Sequence, residues 1–411
     1  MDADDSSTPT RRDALRAGGA VLTAGLFAGC TSGGDATPTD DVKTPTATPE
    51  SGTTESTTES GPYTVSMAPM GDVAFDAPPE NVFTVFPQYA DMAVALGHGD
   101  AVNSVYVPEM SGTTMNHYYE RLDGVSFDWK GLTDPLSDGL SKELLFDLGS
   151  DVHFADPAWA STQNNWSQSD VEEVGSAVAP WFGNFYSGTH ADPPEAYADS
   201  YQYYSLWDMF GKVAQVFRER QRYEALAAVR REMLSTIEAN LPPKEERPTA
   251  VRVTLSSDSF WTYHLNRPGY WLADTRPLGA IDAFAEKDWG QLWGQVGYEA
   301  MLEADPDVIL HLWGMTPNYA MSDVRSQLEK DPVGKQLSAV QNGRVYAQGM
   351  RYQGPIMNLF QTEMTAKQLY PDVFGEWPEY TDGQPYPEIP EDEWLFDRTK
   401  VAAAVTGSAE E

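Results

Sequence analysis

The sequence has one cysteine, Cys30, in 411 residues. That excludes a disulfide framework and any cluster of thiolate ligands. Cationic charge is scarce too: 27 Lys and Arg stand against 62 Asp and Glu, a formal net charge of −35. Phosphate backbones need a basic face, so nucleic acid is excluded as an expected partner. A polybasic grip on anionic lipid is disfavoured for the same reason. Lysine is the scarcer base, ten residues in the whole chain. An acidic, lysine-poor surface suits molar salt, where the Debye length falls to about 3 Å and self-repulsion is screened. A halophilic source is expected. No later stretch is apolar enough for the roughly 20 residues of a membrane-spanning helix. There is no G-x-S-x-G elbow, no Walker loop, no G-x-G-x-x-G and no H-E-x-x-H. The six histidines, His98, His117, His153, His190, His264 and His311, are scattered and read as structural, so no metal site and no cofactor is expected. Carboxylates are so abundant that pairing any two proves nothing, and an acid–base enzyme stays open.

What is present begins with an address. Arg11-Arg12 precede a small-residue stretch from Ala17 to Ala28, and Phe27-Ala28-Gly29-Cys30 follows. Twin arginines, a short apolar region and small residues before a cleavage point describe an export signal. The apolar part, about 12 residues, is too short to span a bilayer. Residues 31–61 are Thr, Ser, Gly, Pro, Asp and Glu with almost nothing apolar. Such a segment cannot offset its ordering entropy by burial and reads as a tether. Asn165-Trp166-Ser167 forms a glycosylation sequon, a tripeptide close to chance in a chain of this length.

The body alternates strands and helices in two blocks. In the first, residues 81–86 read as a buried strand closed by Pro87, Tyr89 to Leu96 as a helix, and Ala101 to Val107 as a strand closed by Pro108. Lys142 to Leu148 is an amphipathic helix leading to the strand Val152–Ala155. A long helical region from Ala198 to Leu241 follows, broken near Arg218, with Arg220 to Asn240 uninterrupted and stopped by Pro242-Pro243. In the second block Ala250–Leu255, Val308–Leu312 and Arg344–Ala347 are strands; Tyr298–Ala304 and Pro355–Leu369 are helices. Repeated βα units predict parallel sheets with helices on both faces. The fold expected is therefore α/β: two lobes joined by a long helix, with a cleft between them. The boundaries are 1–29 (signal), 30–62 (tether), 63–200 (first lobe), 201–243 (interlobe helices), 244–380 (second lobe) and 381–411 (acidic tail).

Ligands in α/β sheets sit beyond the carboxyl ends of the strands. In the first block those positions are Phe86, Gln88, Tyr89, Tyr106, Asp156 and Trp159. In the second they are Ser257, Asp258, Phe260, Trp261, Tyr263, Trp313, Arg351 and Tyr352. Aromatic rings gather on both sides, and such rings cover a ligand at low entropy cost. Arg351, directly after a strand, offers a planar fork to an anion; Arg252 and Arg276 are weaker candidates.

Four segments carry a resemblance. They are Asn81–Asp100 with "DMAVALGHGD", Ser141–Asp156 "SKELLFDLGSDVHFAD", Gly294–Leu312 "GQVGYEAMLEADPDVILHL", and Leu337–Trp377 with "LSAVQNGRVYAQ" and "LYPDVFGEW". Together they resemble the substrate-binding lipoproteins of ABC importers for iron chelates and cobalamin. Gly149-Ser150-Asp151 departs from the Pro-Asp usual before the first-lobe strand, Phe27 from the usual Leu, and the acidic tail is extra. The resemblance implies two lobes on a rigid helix that close only modestly. It implies a monomer without enzymatic activity that binds a small ligand, and a lipid anchor on Cys30 at the outer face of the cell membrane. It implies a permease dimer as partner, met by one glutamate on each lobe, Glu143 and Glu299. Ferric siderophore is the expected cargo, ahead of cobalamin and haem. A secreted lipid-anchored hydrolase and a surface-structural lipoprotein are the readings from other classes.

Overall fold

The computed structural model describes residues 61–408. The expected signal, the lipidation site Cys30 and nearly all of the tether lie outside the described residues. The chain enters on an antiparallel pair, β1 (Tyr63–Met67) and β2 (Gly71–Phe75). Val65, Met67, Val73 and Phe75 alternate inward and give the pair one buried face.

β3 (Val82–Thr84) pairs in parallel with β4 (Val152–Phe154), and every residue of both is buried. The sheet continues only as single parallel bridges, Val82 to Val102, Ser104 to Thr133 and His153 to Trp181. The strand expected over Ala101–Val107 is thus one corrected here: it makes bridges and no ladder. Val107 turns left-handed at φ 41° and Pro108 opens a helix instead, a position where proline's missing N–H costs nothing. The first-lobe helices are α1 (Pro87–Ala95), α2 (Pro108–Tyr119), α3 (Lys142–Leu148), α4 (Pro157–Ala160), α5 (Gln168–Ala177) and α6 (Glu195–Ala198).

α7 (Leu206–Phe217) and α8 (Arg220–Asn240) follow. The break falls at Arg218, which is left-handed at φ 58°. α8 buries a single stripe of Leu226, Val229, Met233 and Ile237 and packs on α7.

The second sheet runs β10 (Val345–Ala347), β9 (Val308–His311), β5 (Thr249–Leu255), β6 (Ser259–Tyr263), β8 (Trp293–Gly297), with β7 (Ile281–Asp282) on the start of β5. β10, β9, β5 and β7 are parallel, whereas β6 and β8 are antiparallel to their neighbours. This corrects the expectation of a parallel sheet. Ser256-Ser257-Asp258 is a tight reversal closed by the Ser256 N–H on the Ser259 carbonyl at 2.9 Å, so Phe260, Trp261 and Tyr263 lie on a strand and not in a loop. The helices here are α9 (Tyr298–Ala304), α10 (Met321–Lys330), α11 (Ser338–Gln341), α12 (Pro355–Leu369) and α13 (Pro371–Phe374). All fifteen residues of α12 are buried. Asp91 on α1 caps it, accepting from the Ile356 and Met357 N–H groups at 3.0 and 3.2 Å and from the Tyr119 hydroxyl. Burial pushes the Asp91 carboxyl up to about 7 against those hydrogen bonds.

The acidic stretch packs onto the body, and the short helix expected from Trp394 to Val405 forms over Arg398–Thr406. Tyr386, Phe396 and Val401 are fully or nearly fully buried, and α14 (Arg398–Thr406) packs along α8. Glu363, buried on α12, receives Arg398 at 2.8 Å and the Tyr386 hydroxyl at 2.8 Å. A buried carboxylate must be paired, and the tail supplies the pair.

Candidate ligand cleft

The loop after β10 delivers Gln348 to Gly354 to the seam between the lobes. Arg351 is the only cation in that loop, and it is buried. Its Nη1 donates to the Tyr263 hydroxyl at 3.0 Å and its Nη2 to the Tyr352 hydroxyl at 2.9 Å. The guanidinium carbon lies 4.3 Å from the Trp271 ring centre, 4.9 Å from Tyr352 and 5.7 Å from Trp313. Its Nε has no hydrogen-bond partner. Among the described residues no carboxylate forms an ion pair with it. Desolvation opposes the charge, but the two tyrosine oxygens favour it and the net shift is upward.

Of the buried arginines Arg252, Arg351 and Arg398, the first and last are each paired with a carboxylate. Arg252, a weaker candidate, is consumed by Asp274 at 2.5 Å and by the Trp271 carbonyl at 3.0 Å. Arg276 is spent on the Arg267 and Gly269 carbonyls. Burying a charge with no counter-charge costs several kcal/mol unless dipoles or rings replace water. Here three rings and two hydroxyls do so.

The first lobe faces this charge with rings. Phe86 stacks on Tyr352 across the seam, centroids 4.6 Å apart at 23°. Around it stand Phe185 at 5.1 Å, Trp159 at 5.3 Å and Tyr106 at 6.4 Å. Phe185 also meets Trp271 edge-on at 6.0 Å. Gln88 donates to the Tyr270 hydroxyl at 3.2 Å and leaves its own oxygen unpaired. Asp156 fixes this wall. It accepts from the Ala158 N–H at the start of α4, from the Phe185 N–H at 2.7 Å and from the Tyr201 hydroxyl at 2.6 Å. Burial lifts its carboxyl to about 6. The Trp159 and Trp271 indole N–H groups have no acceptor.

Of the ten expected ligand residues, the structure gathers Phe86, Tyr106, Trp159, Tyr263, Trp313, Arg351 and Tyr352 round this charge, with Gln88 on the seam. Tyr89 does not reach Arg351: it is stacked on Phe154 at 3°, its hydroxyl accepts from the Asn184 N–H, and it lines the small first-lobe space beside Phe86 and Gln88. Trp261 is half-buried on β6 and makes no ring contact among the described residues. Sequence reasoning missed Trp271, Phe185, Tyr270 and Trp293. None follows a parallel strand. A usable signal was Gly269-Tyr270-Trp271: Gly269 sits at φ 118° against the Gly188 carbonyl, a contact only glycine tolerates. The space enclosed by Phe86, Gln88, Asp156, Trp159 and Phe185 is about 10 Å³, room for one water at most. That space lies wholly within the first lobe; at the seam Phe86, Arg351 and Tyr352 are themselves buried, so a ligand reaches Arg351 only if the seam parts.

A family model described as periplasmic binding protein matches residues 82–352. The chain belongs to that family. Its two α/β lobes and buried seam are the fold of this periplasmic binding protein, and the family sets aside the hydrolase reading. The sequence resembles no curated protein at a significant level. Solved structures share the fold. A periplasmic binding protein from Veillonella parvula is 16% identical at TM-score 0.50, over 76% of this chain and 92% of that one. Nickel-bound CeuE from Helicobacter pylori is 14% identical at TM-score 0.50, over 76% and 90%. The iron uptake ABC transporter substrate-binding protein PiuA of Streptococcus pneumoniae is 16% identical at TM-score 0.50, over 74% and 96%.

The two expected docking glutamates occupy matching places. Glu143 and Glu299 are exposed in the first turns of α3 and α9. Each helix has seven residues, ends on a left-handed cap (Gly149, Asp305) and feeds a central strand after three residues.

Proposed function

We propose that this protein is an extracytoplasmic receptor that carries an anionic ferric chelate to an ABC importer. The observation that carries the reading is Arg351: a buried guanidinium without a carboxylate, in a chain of net charge −35. So acidic a body would repel an anion unless one site held uncompensated positive charge. The fold shared with an iron uptake substrate-binding protein supports the same cargo class. Phe86, Tyr106, Trp159, Trp313 and Tyr352 would cover the chelate, with Tyr263 turning from Arg351 toward its oxygens. Residues 63–200 and 244–380 form the two jaws, with the helices of 201–243 between them. Cys30 would carry the lipid anchor, and Glu143 and Glu299 would meet the permease.

The test is a ligand panel of ferric hydroxamates, ferric catecholates, cobalamin and haem, titrated at high salt by tryptophan fluorescence. The parent should bind one ferric chelate, and Arg351→Ala should weaken it at least about 100-fold, as for loss of a charge-assisted fork. Tight cobalamin binding indifferent to the substitution, with no ferric chelate bound, overturns the cargo and leaves the receptor.

A further inference from the structure

We infer that residues 377–408 are a strap across the back of the seam, and that opening of the cleft is limited by its release. The strap lies wholly beyond the residues that match the family model, 82–352. It is anchored on both lobes within a few residues. Asp382 caps second-lobe α10, which has no cap of its own. Its carboxylate accepts from the Met321 N–H at 2.6 Å, the Ser322 N–H at 3.1 Å and the Ser322 hydroxyl at 2.6 Å. Four residues on, the Tyr386 N–H donates to the His117 carbonyl of first-lobe α2 at 2.8 Å. Arg121, just past α2, donates back to the Tyr386 carbonyl at 2.6 Å and lies 3.7 Å from Glu388. The chain then fixes itself to α12 through Arg398 on Glu363, and to α8 through the Arg222 guanidinium on the Ala404 carbonyl at 3.3 Å.

Chain length makes this a constraint. Residues 382 to 386 span at most about 14 Å fully extended. The α10 and α2 ends they hold can separate no further unless one anchor lets go. His117 also reaches across the same face to the Met315 carbonyl at 3.2 Å. Phe86, Arg351 and Tyr352 are buried where the lobes meet, so a ligand enters through an opening that the strap resists. Asp382 is the weaker anchor, being half-buried where Tyr386 is fully buried.

The measurement needs no ligand, so it stands apart from the cargo reading. Spin labels go on Glu172→Cys in α5 and Glu329→Cys in α10, both exposed, in the full chain with Cys30→Ser. Distances are read by pulsed electron resonance in the parent, in Asp382→Ala and in Arg121→Ala. Removing a charged acceptor of three hydrogen bonds should raise the open fraction about tenfold or more. Arg121→Ala should give a smaller shift in the same direction, and it keeps the test alive should Asp382→Ala fail to fold. A folded Asp382→Ala chain, or failing that a folded Arg121→Ala chain, with the parent's distance distribution overturns the strap. So does faster amide exchange confined to residues 377–390 with no change in distance.

Discussion

The two lobes are built on one unit and spend it differently. In each, a seven-residue helix with an exposed first-turn glutamate leads to a strand that pairs in parallel with the earlier strand β3 or β5. In each, an aspartate just before that strand pins the start of β3 or β5. Asp151 accepts from the Glu80 and Asn81 N–H groups at 2.9 and 2.8 Å, and its own N–H donates to the Asn81 carbonyl. Asp307 accepts from the Thr249 N–H at 2.8 Å and donates to the Thr249 carbonyl. Beyond this unit they diverge. The first lobe has a sheet of two short strands extended by bridges, and it gives the cleft rings, the Gln88 amide and the buried Asp156 carboxyl, but no cation among the described residues. The second adds the antiparallel pair β6 and β8, whose Tyr263 steadies the buried Arg351 guanidinium. Positive charge therefore comes from one jaw and cover from both. An anion would be selected by the second lobe and enclosed by the first.

The sharpest way to break the symmetry of the shared unit is to reverse both glutamates. Exposed ion pairs are worth about 0–1 kcal/mol each and less in salt, so either reversal alone should leave much uptake. Glu143→Arg with Glu299→Arg should abolish chelate uptake by cells while ligand titration stays unchanged. Normal uptake by the double variant would remove the docking role.

Acid should separate the lobes next. His153 on β4 and His311 on β9 are both buried, and burial lowers each to about 4. The unfolded chain takes up protons at about 6.5 and the folded chain does not, so stability falls as pH drops from about 6.5 to 4. Each histidine contributes up to about 3 kcal/mol of that fall. Asp91 and Asp156, raised to about 7 and 6, act in the opposite sense and gain stability over the same descent. Difference curves against single variants therefore isolate each histidine. Neither ring nitrogen of His153 has a partner, whereas His311 Nε2 accepts from the Leu255 N–H at 3.1 Å. His153→Leu should flatten the acid slope at no cost near pH 7. His311→Leu should flatten it and lose about 1–3 kcal/mol at pH 7 by stranding that N–H. Urea melts at several pH values decide, and equal losses at pH 7 would refute the distinction.

The smallest effect sharpens the aspartate locks. Both are exposed, so each is worth roughly 1 kcal/mol. Asp151→Ala, which frees two N–H groups, should lower the thermal midpoint more than Asp307→Ala, which frees one. The reverse order would mean that the two units do not share this fastening.

Local signals decided which parts of this were legible from the sequence. Lys142–Leu148, Arg220–Asn240, Tyr298–Ala304 and Pro355–Leu369 are helices at the expected residues, because glycine, proline and aspartate stop them by backbone chemistry alone. What depends on a distant partner was not legible. β6 is indistinguishable from a loop until its neighbour β8 is known. Trp271 joins the cation only because Gly269 and Gly188 let two loops touch. The acidic composition of residues 381–411 hid Tyr386 and Arg398, whose burial is licensed by Glu363 on another helix.

Tyr352 belongs to two structures at once. Its hydroxyl holds Arg351 and its ring is one half of the stack that joins the lobes. An anion that draws the guanidinium toward itself must let go of that hydroxyl, and the ring is then free to shift against Phe86. If the proposed anion binds there, its occupancy would bear on how the two jaws meet. A permease touching only the outer helices could read whether the receptor is loaded without ever contacting its cargo.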